Sequence, residues 1–425
     1  PTDGRVTARV AGGRWQAVID HQVPGAARLV ANVRGTFDAG DVTNSTLTGS
    51  VDLRITNPEN LARALSHADV EVPALVAAST GHLSAALQLG GRFGAPTALG
   101  TVTSDNLVLA AGGPTQLSLS LSATPSLVQI SNLRLALADA ILEADGRVTL
   151  PTGAIDGRFR LETPELTQAL AMLPEAWRPS GRATGRATAT GTLGGTLSLP
   201  LATTTIRTSP LVVGAQHIDA IYADLRVSSD AVDVQTLTIS QGNGRLDGSG
   251  RYAWTSGAYV AHVEARGLVI EDVPGAETGA RARVDLTLNG TGTLDRPFGQ
   301  GHVSVELESG TARAGVGKGS ADITLEGDLA RFTALVPGLG TYISGTIDPR
   351  TPYDYRAVAA TTRLDLEPFA RLSGAHEGAV HGTLSVNTLL TGRLSAAGSL
   401  VAAIFWELGK LLFQLQDCNP RVGLG

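Results

Sequence analysis

A short glycine-led cassette returns along this chain at a step of about one hundred residues. It reads Gly91-Arg92-Phe93, Gly191-Thr192-Leu193, Gly292-Thr293-Leu294 and Gly392-Arg393-Leu394. A second cassette precedes each of these: Gly35-Thr36-Phe37, Gly146-Arg147-Val148, Gly250-Arg251-Tyr252 and Gly345-Thr346-Ile347, each read as glycine before the start of a strand. Self-similarity at a long fixed period signals an array of like units. Such units stack on their neighbours and build a long surface. The spacing predicts one continuous array of four repeats, approximately residues 1–91, 92–191, 192–292 and 293–397, followed by an atypical apolar tail over 398–425.

Within the repeats apolar and polar residues alternate. Leu117, Leu119 and Leu121 are separated by serines. Leu133, Leu135 and Leu137, then Val284, Leu286 and Leu288, then Val303, Val305 and Leu307 repeat the pattern. Strict alternation marks a strand with one apolar and one polar face. Val and Thr are abundant in these stretches and suit a pleated surface. The dipeptides Asp145-Gly146, Asp156-Gly157, Asp247-Gly248, Asn289-Gly290 and Glu326-Gly327 read as tight hairpin turns, because glycine supplies the positive φ that such turns require. Hairpins in series give antiparallel neighbours. The expected fold is all-β: an elongated, repetitive antiparallel β-groove, open or partly closed, with short helical inserts. The alternatives are a closed β-solenoid or a string of β-sandwiches.

Asn57-Pro58-Glu59 before Leu61–Leu65, and Thr163-Pro164-Glu165 before Leu166–Leu170, carry a capping residue, proline at the first helical position and an acid after it. Leu366–Leu372 is similar, and Val269–Pro274 is a weaker version. Short helices or loops are expected at all four. From Leu400 onward Ile404, Phe405, Leu408, Leu411, Leu412 and Leu415 fall at helical spacing, interrupted by Glu407 and Lys410. That run is too short to span a bilayer comfortably. It reads as an amphipathic membrane-contacting helix, or as a truncated or out-of-frame end.

The composition narrows the function. Net charge is −6, which offers no basic patch for nucleic acid. Aromatics make up only 4% of the chain, so its apolar content is Leu, Val, Ala and Ile. Cys418 is the single cysteine and allows no internal disulfide. His376-Glu377 with His381 has the wrong spacing for a zinc-protease helix. Gly315–Ser320 lacks the offsets of a phosphate loop, and no nucleophile elbow occurs. No catalytic residue, metal site or cofactor is therefore expected.

An antiparallel sheet with one apolar face must cover that face. It can close into sandwiches, coil into a dry solenoid, or form a trough filled by hydrocarbon. Each buried methylene is worth about 0.8 kcal/mol, so a sixteen-carbon chain favours such a trough by roughly 10 kcal/mol. The twelve Leu and Val residues named above, from Leu117 to Leu307, are the expected lining.

Gly250-Arg251-Tyr252, the strand pair up to Val269, and Gly290–Pro297 followed by Gly299, Gly301 and a fresh strand together resemble the AsmA-like family, including its TamB members. Gly191–Leu193 with Leu199-Pro200, and Gly91–Phe93 with Pro96, echo the same phrase, and the likeness covers nearly all of residues 1–397. The resemblance implies a periplasmic protein of the Gram-negative envelope, anchored in the inner membrane by a helix outside this stretch. It implies a groove that carries phospholipid acyl chains towards the outer membrane. It also implies a partner of the Omp85 outer-membrane assembly type. Residues after Gly398 depart from the family pattern. The competing reading is a secreted structural or adhesin-type repeat protein with a closed core, although its repeats are usually near twenty residues. A hydrolase on an all-β scaffold is disfavoured by the missing catalytic constellation.

Overall fold

The computed structural model describes residues 3–66, 79–108, 114–137, 139–167, 183–213, 216–271, 281–293, 295–307, 317–348, 354–365 and 383–393. The helical patterns expected after residue 167 and at 366–372, the His376–His381 segment and the 398–425 tail lie outside the described residues. The chain divides into two compact units. The first comprises Pro1–Leu211 with Arg226–Ser229, and the second Val212–Leu225 with Asp230–Gly425.

The first unit begins with β1 (Asp3–Ala11), β2 (Arg14–Val23), β3 (Ala27–Thr36) and β4 (Thr48–Ile55), followed by helix α1 (Pro58–Ser66). It continues with β5 (Leu83–Arg92), β6 (Ala95–Val108), β7 (Pro114–Ala123), β8 (Leu127–Leu137), β9 (Ala140–Thr149) and β10 (Ala154–Thr163). The short β11 (Ala183–Thr184), then β12 (Ala187–Gly195) and β13 (Pro200–Thr208), complete it. From β1 to β10 each strand pairs antiparallel with the next, and β10 then pairs with β12 and β12 with β13. β14 (Leu211–Val213), β15 (Gln216–Ile218) and β16 (Ala220–Ser228) lie around the division.

The second unit runs through β17 (Ala231–Gln241), β18 (Gly244–Ala253), β19 (Ala258–Glu271), β20 (Arg281–Thr293), β21 (Pro297–Leu307) and β22 (Lys318–Glu326). It ends with β23 (Ala330–Val336), β24 (Thr341–Ile347), β25 (Asp354–Asp365) and β26 (Thr383–Arg393). Again each strand pairs antiparallel with its successor. The fold is therefore all-β, built of long antiparallel meanders that do not close into barrels. Among the described residues β1 pairs only with β2, and β26 only with β25. The helix expected at Asn57 is present: the Asn57 side chain accepts from the Asn60 N–H at 3.0 Å and Arg63 pairs with Glu59 one turn back.

Two expectations need correction. Val269-Ile270-Glu271 is not an insert but the end of β19. The Asp-Gly and Asn-Gly dipeptides at 145–146, 156–157, 247–248 and 289–290 are strand interiors, and only Glu326-Gly327 sits at a turn, with Gly327 at φ +79°. The alternation explains this. The acid stands on the polar face, where Asp145 meets Arg158 and Asp247 meets Arg245. The glycine stands on the apolar face, where absent side chains let the sheet curl. Likewise the cassette glycines at 146, 250 and 345 lie within strands rather than before them.

Several of these glycines sit beside an aromatic ring. Trp15 is registered against Gly35, Phe159 against Gly191 and Tyr355 against Gly392. A Cβ on those glycines would stand 2.8, 2.7 and 2.8 Å from the respective rings. Tyr259 lies over Gly290 in the same manner, at 3.3 Å. One aromatic ring thus fills the notch left by a glycine on the neighbouring strand. The repeat also contains a hairpin. Gly195 pairs with Pro200 and Gly292 with Pro297, across Gly-Thr-Leu-x-x-Pro in both cases. In each, Thr and the residue before Pro exchange backbone hydrogen bonds, Thr196 with Leu199 and Thr293 with Arg296. The glycine opens the turn at positive φ, +77° and +115°. Gly195, not Gly191, is therefore the structural match of Gly292.

Candidate functional site

Side chains on alternate strand positions line up across the pairing register. In the first unit one such row runs Ile19, Ala31, Val51, Leu87, Gly100, Leu121 and Ile130. A second runs Leu117, Leu135, Leu142, Leu161, Ala189 and Ile206. Leu119 stands opposite Val102, and Leu133 opposite Ala144. The six expected residues Leu117, Leu119, Leu121, Leu133, Leu135 and Leu137 therefore share one face. All six are half-buried. They are neither sealed as a core would be nor fully in solvent. Among the described residues, the fully buried apolar side chains of this unit are five alanines, Leu107 and Leu211. Bulges between Ser118 and Ser120, and between Ile130 and Leu133, locally bend and twist the sheet here.

The second unit carries the same stripe with a different outcome. One row runs Val263, Leu288, Gly301, Ile323, Phe332, Gly345 and Ala357. The adjacent row runs Ala265, Leu286, Val303, Ala321, Ala334, Ile343 and Ala359. Val263 and Leu288 are half-buried, like the leucines of the first unit. Over β23 and β24 the face is filled, while Val305, Leu307, Ile323 and Leu325 on β21 and β22 stay half-buried. Val303, Phe332, Val336, Leu339, Ile343 and Ile347 pack with five alanines into a buried cluster, and Ile343 is 0% exposed. Val284, Leu286 and Val305 are half-buried and pack against that cluster, while Leu307 is half-buried opposite Ala282. The expected lining residues of β20 and β21 thus share a face, and four of them touch this core.

What fills the face is local. The β23–β24 connection is a 3-10 turn, Pro337–Leu339, that places Leu339 at 3% exposure. Leu339 belongs to the buried cluster, so the turn carries an apolar side chain onto this face. Gly340 adopts the left-handed conformation that ends it. Thr341 and Thr361 share a buried hydroxyl hydrogen bond of 2.8 Å beneath it. These residues were not singled out in the sequence. The available signal was Pro337-Gly338-Leu339-Gly340, an apolar residue inside a turn, beside strands whose inward positions are largely alanine.

The opposite face is polar and charge-paired. Arg28–Asp20 and Arg134–Glu143 close at 2.8 Å, and Arg147–Asp156 and Arg245–Asp247 at 2.7 Å. Asp20 is held below the usual carboxylate range, chiefly by its hydrogen bond from Arg28. Asp145 is lowered first by the Asn132 backbone N–H, and Asp247 first by the Arg245 guanidinium. Tyr259, on the apolar face, is raised by burial. Lys318, once weighed as part of a phosphate loop, begins β22 and pairs with Glu306 at 2.8 Å. Among the described residues no group of three or more His, Cys, Asp or Glu could hold a metal ion. No helix among them is long and apolar enough to cross a membrane.

The chain matches no family model, no curated protein and no solved structure.

Proposed function

We propose that the apolar face is a binding surface for phospholipid acyl chains and that the protein conveys phospholipid between the inner and outer membranes of a Gram-negative envelope. The observation that carries this reading is the row Leu117, Leu135, Leu142 and Leu161, contiguous in register and only half-buried. Apolar surface left in that state gains about 25 cal/mol per Å² on being covered. Hydrocarbon chains can cover it while the polar face keeps its water and ion pairs. The lining is aliphatic and carries no charge, so it gives no handle on a head group and lets a chain slide. In this reading the protein binds without catalysing. The resemblance to the AsmA-like family supplies the setting: periplasm, an inner-membrane anchor, and an outer-membrane assembly partner of the Omp85 type.

Photo-crosslinking tests it directly. Crosslinkers at Leu121, Leu137 and Leu288 should capture phospholipid, whereas those at Ser120, Arg134 and Asp285 on the other face should not. Equal labelling of the two sets, or none at either, defeats the reading. A second reading, a structural repeat protein with a closed core, is favoured by one observation: the filled face over β23 and β24. It requires the first unit's face to bind nothing.

A further inference from the structure

We infer that the acyl-chain surface of the second unit is interrupted at β23 and β24, and that Phe332, Leu339 and Ile343 form a built-in stop occupying the place that lipid takes before it. The inference rests on the lipid reading above and marks where its ligand can and cannot go.

The register supplies the reason. Val263, Leu288, Gly301, Ile323, Phe332 and Ala357 lie in one row on one face, so a chain following the face meets them in order. At Val263 and Leu288 the surface is half-buried and accessible. Three strands further on, Phe332 is 2% exposed, and Ile343 in the next row is 0% exposed. No room remains for hydrocarbon where protein side chains are already close-packed. The filling comes from the chain itself. Leu339 reaches the buried cluster from the turn that joins β23 to β24, and Val336, at 1% exposure, precedes that turn directly. Ala321, Ala334, Ala357 and Ala359 are small inward residues of the same buried cluster as Phe332, Leu339 and Ile343. A phospholipid acyl chain entering along β19 and β20 therefore stops at this cluster.

The test uses the full chain with vesicles of phosphatidylethanolamine and phosphatidylglycerol. A small diazirine amino acid is placed singly at Val263, Leu288, Leu339 and Ile343. Lipid labelling is expected at Val263 and Leu288 and lost at Leu339 and Ile343. Labelling of comparable strength at all four overturns the stop while leaving the lipid reading intact. Labelling at none overturns the lipid reading and the stop with it. In a Leu339→Ser variant, checked for retained amide protection in β22 to β25, label should appear at Ile343. Continued exclusion there overturns the role given to the turn. Should that variant lose its fold, the four-site comparison in the unsubstituted chain still decides the matter.

Discussion

β7 to β10 and β21 to β25 present the same alternation and the same kind of sheet, yet one apolar face stays half-buried throughout and the other holds a fully buried cluster. The difference does not lie in hydrophobicity. Leu117, Leu135 and Leu161 are as apolar as Phe332 and Ile343. It lies in what stands over the face. In the first region the apolar side chains that share this face are half-buried among the described residues. In the other region a short turn folds Leu339 inward among alanines, and the layer is supplied from within. A sheet of uniform pattern can thus carry both a half-buried apolar face and a buried core.

The largest expected contrast comes from burying a charge. Ile343→Asp places an unpartnered carboxylate where exposure is 0%, and should cost several kcal/mol and abolish amide protection across β22 to β25. Leu135→Asp keeps access to water and should cost about 1–2 kcal/mol with its strands retained. Leu286→Asp should fall between them, because Leu286 is half-buried yet packs on the cluster. Neutral truncations should rank alike, about 2–5 kcal/mol for Ile343→Ala and about 1 kcal/mol for Leu135→Ala. Strand-resolved hydrogen exchange is the suitable measurement, since a chain of two units need not unfold in one step. Equal losses at Ile343 and Leu135 would erase the distinction between the regions.

A smaller effect should be shared by both. A methyl group at Gly392 would collide with the Tyr355 ring, and one at Gly191 with the Phe159 ring and, closer still, with the Thr203 backbone carbonyl. Gly191→Ala and Gly392→Ala should each destabilise their own unit by roughly 1–3 kcal/mol through overpacking. Comparable losses in thermal or denaturant unfolding would show the ring-on-glycine device to be independent of whether the face is open or filled. A loss at Gly392 alone would tie it to the filled stretch.

Acid should do least, and should not distinguish the regions at all. Asp20, Asp145 and Asp247 have carboxyl pKa values lowered in the folded state. Each contributes stability above its ordinary pKa, and that contribution fades as pH falls through the lowered value, below about 4. All three are on the exposed, charge-paired face, so the effect is screened and small. Stability measured from pH 7 to pH 5 should stay flat, and a loss within that window would contradict this assignment.

Much of the architecture could be read before any coordinates. Leu117-Ser118-Leu119-Ser120-Leu121 and its counterparts determine strands with two unlike faces, because side-chain direction alternates with every residue. The capped helix at Asn57 is equally local, since Asn, Pro and Glu act within one turn of each other. The Asp-Gly pairs misled for a physical reason. A glycine that permits a turn and a glycine that admits a neighbour's bulk have the same sequence, and only the partner strand tells them apart. Gly191 and Gly195 show the same ambiguity, with two Gly-Thr-Leu phrases four residues apart and the hairpin at the second. The sequence by itself determined the strand periodicity, the all-β class and the chemistry of each face. Tertiary structure alone decided which stretches of the apolar face remain open. That outcome depends on Leu339, Phe332 and Ile343 entering one buried cluster with alanines from three strands, an arrangement that arises from register and from the path of one turn rather than from the composition of any strand.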